Sequence, residues 1–167
     1  IMAPDGLSRL FTYHLERPLQ LESIGASLLL VTRSFAALSL RVETSYGSQN
    51  LLGTGTTALT ACLSFLAVAG VVAVLIRTAR AIGAARAADD NHNQNQNDNP
   101  TSPTACFVAG CAATLSVALV FGKVLSPQYL LWLLPTTLLV GGRRGHLAGV
   151  GTVAALAATQ LYFPARY

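Results

Sequence analysis

Ala58 to Ile76 reads ALTACLSFLAVAGVVAVLI, an uncharged run that Arg77 and Arg80 end abruptly. A helix rises about 1.5 Å per residue, so about 20 apolar residues cross a hydrocarbon core. This run meets that length, and its few polar atoms (Thr60, Ser64) can bond back to the preceding turn. Three further stretches read as crossings: Ala105 to Phe121, Gln128 to Val140 kinked at Pro135, and Leu147 to Phe163. The intervening parts divide as an extracytoplasmic or interfacial segment (1–57), a cytoplasmic polar loop (77–104), an outward loop (122–127) and a cytoplasmic turn (141–146). The fold class expected is therefore all-α, a multi-pass transmembrane helical bundle in the cell membrane.

Composition points the same way. Of 167 residues, 52% are hydrophobic and only 11% charged, where soluble domains carry about 25% charge. A cytosolic globular enzyme, a disordered chain and a nucleic-acid binder are all disfavoured by that balance. The net charge of +4 comes almost wholly from arginine, since Lys123 is the only lysine. Cys62, Cys106 and Cys111 sit in apolar runs and read as free thiols. The chain opens at Ile1 with Pro4-Asp5-Gly6 turn chemistry and no signal-peptide pattern, as the C-terminal part of a longer protein would.

Leu21 to Leu40 is apolar but holds Arg33 at its centre, at a cost of about 2.5–3.5 kcal/mol for insertion. It reads as an interfacial or re-entrant helix near the N-terminus. The tract Asp89 to Pro100, with His92 in it, reads as a solvated low-complexity loop. Gly110, Gly145, Gly149 and Gly151 read as packing seams, because small residues let membrane helices approach. Tyr129, Trp132 and Tyr162 read as interfacial anchors. Arginines 77, 80, 86, 143 and 144 place their loops in the cytoplasm by the positive-inside rule. Arg9, Arg17, Arg33, Arg41 and Lys123 then lie outside, against that rule, and an anionic ligand at the outer face is one explanation for them.

Two polar clusters carry the chemistry. The first is Tyr13-His14-Leu15-Glu16-Arg17-Pro18-Leu19-Gln20-Leu21-Glu22-Ser23, with Pro18 opening a helix and Glu22 in its first turn. Its simplest alternative is a hydrated helix entry in which Arg17 pairs with Glu16 or Glu22. The second runs from Lys123 through Ser126-Pro127-Gln128-Tyr129. Here Ser126 caps a helix whose N-terminus suits an anion such as phosphate. Its simplest alternative is a lysine snorkelling to ordinary headgroups. Gly53-Thr54-Gly55-Thr56-Thr57 lacks the Gly-Lys-Ser/Thr ending of a phosphate loop, and no metal-ligand spacing occurs.

The set Tyr13-His14-x-x-Arg17-x-x-Gln20-x-Glu22-Ser23, then Ser45-Tyr46-Gly47-Ser48, then Lys123-x-x-Ser126-Pro127-Gln128-Tyr129-Leu130-Leu131-Trp132-Leu133-Leu134-Pro135 resembles glycosyltransferase family 87. The resemblance implies a GT-C-like membrane fold, of which this is the C-terminal part. It implies inverting transfer of a hexose, mannose in the family's typical members, from a polyprenyl-phosphate donor to a cell-envelope glycolipid or glycan. No cofactor and no metal are implied, and the partners are membrane lipid, the lipid-linked donor and the acceptor. His14, Arg17 and Lys123 would neutralise the donor phosphate. Gln20, Gln128 and Tyr129 would orient sugar or phosphate, Ser126 would contribute a donor, and Glu22 would position Arg17 or touch sugar hydroxyls. The general base is implied upstream of Ile1, not at Glu16 or Glu22. The competing functions are a non-enzymatic transporter fragment or scaffold binding an anion, and another lipid-modifying transferase. Deleting Asp89 to Asn99 should leave sugar transfer by the full-length enzyme nearly unchanged, measured as product formed per unit of membrane protein.

Overall fold

The computed structural model describes residues 4–91, 102–125 and 127–166. Among the described residues, two helices are long and apolar enough to cross a membrane. The first, α3 (Thr56–Asn91), runs past the expected end at Ile76. The arginine-bearing stretch after Ile76 was expected as loop. It continues the helix instead, because alanine and arginine are both strong helix formers, and charge ends an apolar span without ending a helix. The second, α4 (Pro103–Phe121), is capped by Ser102, whose Oγ accepts from the Ala105 amide at 3.2 Å. Mean hydropathy reaches 2.6 in α3 and 2.1 in α4, yet only 6% and 11% of those apolar windows are buried. Neither apolar window is thus covered by the rest of the described chain.

α3 and α4 pack antiparallel through small residues. A Cβ on Gly70 would lie 2.7 Å from Val117 Cγ1, and one on Gly110 would collide with the Thr78 side chain. Beyond α4, a 3-10 turn (Pro127–Tyr129) leads into α5 (Leu130–Leu139). With 10 residues, α5 spans about 15 Å, half of a hydrocarbon core, so the crossing expected over 128–140 is not met by this helix alone. Pro135 stands inside it, and the Thr136 and Thr137 hydroxyls each donate to the Leu133 carbonyl at 2.9 Å. α6 (Gly142–Arg166) starts before the expected Leu147, following positive φ at Gly141 and Gly142. Gly145 and Gly149 fit close against α5, whereas a Cβ on Gly151 would meet open space, so Gly151 is no seam.

The all-α expectation needs correction over the first fifty or so residues, which hold a three-stranded sheet of order β1-β3-β2. Pro4-Asp5-Gly6 does not form a free turn but opens α1 (Pro4–Glu16). Pro18 does not start a helix. It disfavours helical geometry at the residue before it, α1 ends at Glu16, and Leu19–Gln20 form β1. α2 (Ile24–Arg33) follows, with Ser23 Oγ accepting from the Ala26 amide at 3.1 Å, so Glu22 precedes the helix rather than sitting in its first turn. The single helix expected over Leu21 to Leu40 is therefore short, and Arg33 falls in its last turn, where a cation complements the dipole.

β2 (Leu40–Ser45) and β3 (Ser48–Gly53) make an antiparallel hairpin with Ser45 opposite Ser48. Tyr46 and Gly47 both have positive φ, the backbone that a two-residue hairpin turn demands. Leu19, Ala26, Leu51 and Leu63 form the buried core, with Leu59 and Phe121 packed on it. Sheet and α2 thus sit on the first turns of α3 and the last residues of α4. Substituting Gly110→Leu should force α3 and α4 apart and cost about 1–3 kcal/mol. A lowered unfolding midpoint in detergent, read by circular dichroism, checks it.

Candidate functional site

A cavity of about 470 Å³ opens where α1, the sheet, α3 and the chain leaving α4 meet. Its construction begins with one backbone bond: the Gln20 amide donates to the Lys123 carbonyl at 2.9 Å. That bond puts β1 beside the end of α4. Arg17 and Lys123, distant in sequence, therefore line the same cavity together with Glu16.

A polar network positions the guanidinium. Arg17 Nη2 donates to Ser48 Oγ at 3.1 Å, and Ser48 Oγ donates to Asn50 Oδ1 at 3.3 Å. The fully buried Asn50 amide donates in turn to the Ser45 carbonyl at 2.7 Å and to Ser45 Oγ at 3.0 Å. Asn50 thus locks the hairpin turn that holds Arg17. Arg17 Nε is buried with no hydrogen-bond partner among the described residues, so the cationic group keeps donor capacity in reserve. Gln20 is buried on the adjoining strand, and its amide donates to the Glu22 carboxylate.

The Lys123 ammonium is held below its usual pKa of 10.5, first because burial strips water from the charge and second because the Arg17 guanidinium repels it. An anion seated beside the two cations would offset their repulsion and raise the Lys123 pKa by direct attraction, without undoing the burial. The opposite wall of the cavity is α3. Gly53-Thr54-Gly55, whose two glycines have positive φ, turns the chain into that helix, and the Thr56 hydroxyl donates to the Gly53 carbonyl at 2.9 Å. Thr56, Thr57, Thr60 and Ser64 line the cavity. The first amides of α3 have no acceptor within their own helix and add partial positive charge at the same end.

The structure brings together Arg17 and Lys123, with Gln20 and Glu22 on the adjoining segment. It does not bring in the others. His14 is exposed and meets Tyr13 edge-on at 5.5 Å, while the Tyr13 ring lies 5.1 Å from Tyr46 across to the hairpin tip. Gln128 is exposed on the 3-10 turn and Tyr129 stacks on Trp132 at 5.0 Å; neither lines this cavity. Ser126 lies outside the described residues, as do His92 and the rest of 92–101. Sequence reasoning missed Asn50, named Ser48 only within the Ser45-Tyr46-Gly47-Ser48 motif, and gave Thr57, Thr60 and Ser64 no place in the site. The signal for the hydroxyls was the Gly-Thr-Gly-Thr-Thr run opening an apolar helix.

No family model, curated protein or solved structure matches this chain.

Because only the protonated lysine attracts an anion, inorganic phosphate affinity should fall as pH rises through the depressed Lys123 pKa. The ligand-free protein behaves oppositely. Its folded state gives up the Lys123 proton more readily than the unfolded chain, so its stability rises with pH over the same window. Calorimetric titrations across alkaline pH, with Lys123→Met as the variant in which both trends flatten, check the pair of slopes.

Proposed function

We propose that this chain is the donor-binding part of a multi-pass membrane glycosyltransferase. In this reading it transfers a hexose, mannose in the first instance, from a polyprenyl-phosphate donor to a glycolipid or glycan of the cell envelope. The observation that carries the reading is the convergence of Arg17 and Lys123 on one cavity at the end of two apolar helices. The resemblance to glycosyltransferase family 87, drawn from the motifs that contain these two residues, supplies the reaction class.

Transfer from such a donor breaks the bond between the sugar's anomeric carbon and the phosphate oxygen, and the bonding electrons leave with the phosphate. An acceptor hydroxyl forms the new bond and gives its proton to a carboxylate, which the family resemblance assigns upstream of Ile1. Negative charge grows on the phosphate as the bond breaks. Fixed positive groups at that point stabilise the transition state more than the ground state. Arg17, held by Ser48, and Lys123 would supply those charges, and the Thr57 hydroxyl would donate to a phosphate oxygen. His14, Gln128 and Tyr129 have no place in this scheme as the cavity stands.

A binding-only membrane protein would use the same cations to hold an anion without turning it over. In the full-length protein, Arg17→Ala should abolish transfer of radiolabelled sugar from polyprenyl-phosphate-mannose while expression and membrane insertion persist. Wild-type turnover in that variant would reduce Arg17 to a hairpin support. Absence of transfer by the parent protein, with phosphate binding intact, would leave the binding-only role.

A further inference from the structure

α2 is apolar on two faces, and the fold uses only one of them. Gly25 and Ala26 are buried, and Leu29 packs on the core beside them. On the opposite side Ile24, Leu28, Val31 and Phe35 follow one another at four, three and four residues, which keeps them on one stripe of a helix. The turn runs on past Arg33 to Phe35, because the Phe35 and Ala36 amides donate to the Thr32 carbonyl at 3.0 and 2.9 Å. These four side chains are between 40% and 86% exposed, so the stripe stands uncovered among the described residues. Two contacts fix its level. A Cβ on Gly25 would collide with the Leu63 side chain, and one on Gly55 would lie 3.8 Å from Leu29 Cδ2. α2 therefore runs against the first turns of α3 in the reverse direction, its start level with Leu63 and its later turns with Gly55.

We propose that α2 is a third membrane-embedded element, a re-entrant helix that dips into one leaflet beside α3 with its outward stripe against lipid. The inference rests on α3 crossing the membrane and assigns a partner to a surface that sugar transfer leaves unused. The apolar span of α3 begins at Thr56, so Ile24 and Leu28 stand beside its entry turns, at the level of hydrocarbon. Val31, Arg33 and Phe35 lie toward the headgroups, where aromatic and arginine side chains are favoured. The chain does not cross here: β1 precedes α2, β2 follows it, and both pair with β3 in one sheet. With 10 residues the helix spans about 15 Å, the depth of one leaflet. Backbone at its deep end is satisfied within the protein, since Leu19, Gln20 and Ser23 are buried and Ser23 Oγ accepts from the Ala26 amide.

Trp132 is the only tryptophan and is exposed, so Trp132→Phe gives a background for single reporters. Each reporter is read in the full chain, in vesicles of phosphatidylcholine and phosphatidylglycerol in equal parts, with and without phosphatidylcholine brominated along its acyl chains. Emission of Leu28→Trp and, separately, Ile24→Trp should fall at least about two-fold in the brominated vesicles. Phe65→Trp on α3 should fall likewise, while Thr44→Trp near the hairpin tip keeps its emission. All four positions are exposed, so the reporters leave the buried core untouched. Quenching of Phe65→Trp with either α2 reporter unquenched would overturn the embedded helix alone, as when a second copy or another protein covers the stripe. Equal quenching of Thr44→Trp would overturn it too, by putting the whole sheet in lipid. An unquenched Phe65→Trp would overturn the crossing of α3, and the embedded helix with it.

Discussion

The 2.9 Å hydrogen bond from the Gln20 amide to the Lys123 carbonyl is the constraint on which the cavity depends. β1 is an edge strand, paired on one side with β3 through Leu19 to Leu51 and Gln20 to Asn50. Its other side faces the chain leaving α4. An edge amide away from water must find an acceptor, and here the acceptor belongs to the residue whose side chain lines the cavity. Three residues before Gln20 stands Arg17, with Pro18 between holding the chain extended. Covering one strand edge thereby brings two like charges together. That arrangement is unfavourable by itself: the Lys123 pKa is lowered first by burial and second by repulsion from Arg17. It is held by packing, since Leu19 and Leu51 are nearly wholly buried beside Ala26 and Leu63, each leucine contributing about 1.5–3 kcal/mol of burial.

The hairpin serves the same end. Tyr46 occupies a left-handed backbone position that asparagine or glycine would fill at lower cost. Its ring meets Tyr13 and its carbonyl accepts from the Tyr13 hydroxyl at 3.5 Å, so the turn fastens α1 to the sheet from above. Below, the Asn50 amide closes the turn from inside through Ser45. Arg17 leaves the end of α1 between these two fastenings, and its bond to Ser48 is the short remaining step. The guanidinium is positioned by neighbours that are themselves immobilised, which is the condition for a charge to act on a ligand without first being reorganised.

Hydropathy made the two long helices legible, and it located the start of α3 and both ends of α4 within a few residues. It could not set the end of α3, where the stop to apolarity at Arg77 and the stop to helicity near Asn91 are different physical events. The sheet was hidden for a related reason. Leu19-Gln20 is too short to show a period, and Leu40 to Ser45 alternates only weakly between apolar and polar residues. Tyr-Gly is a quieter turn signal than Asn-Gly. Leu21 to Leu40 was apolar enough to pass for one helix, but Ser23 starts it late and Arg33 closes it early. The two cations stood out in the sequence because charge is so scarce. The hydroxyl stripe of α3 did not, because threonine in an apolar helix ordinarily bonds back to its own turn, as Thr60 does to the Thr56 carbonyl at 2.7 Å.

Putting the cavity at the end of the helix pair, rather than midway along it, sets its electrostatics. At that level the apolar helices and the buried leucines exclude water from one side, while the rim near Glu16 stays hydrated. The field of Arg17 and Lys123 is weakly screened toward the floor and strongly screened toward the rim. The first amides of α3 reinforce it from the wall. On the proposed reading, an anion entering from the rim would gain attraction as it loses water, and would offset the repulsion that Arg17 exerts on Lys123.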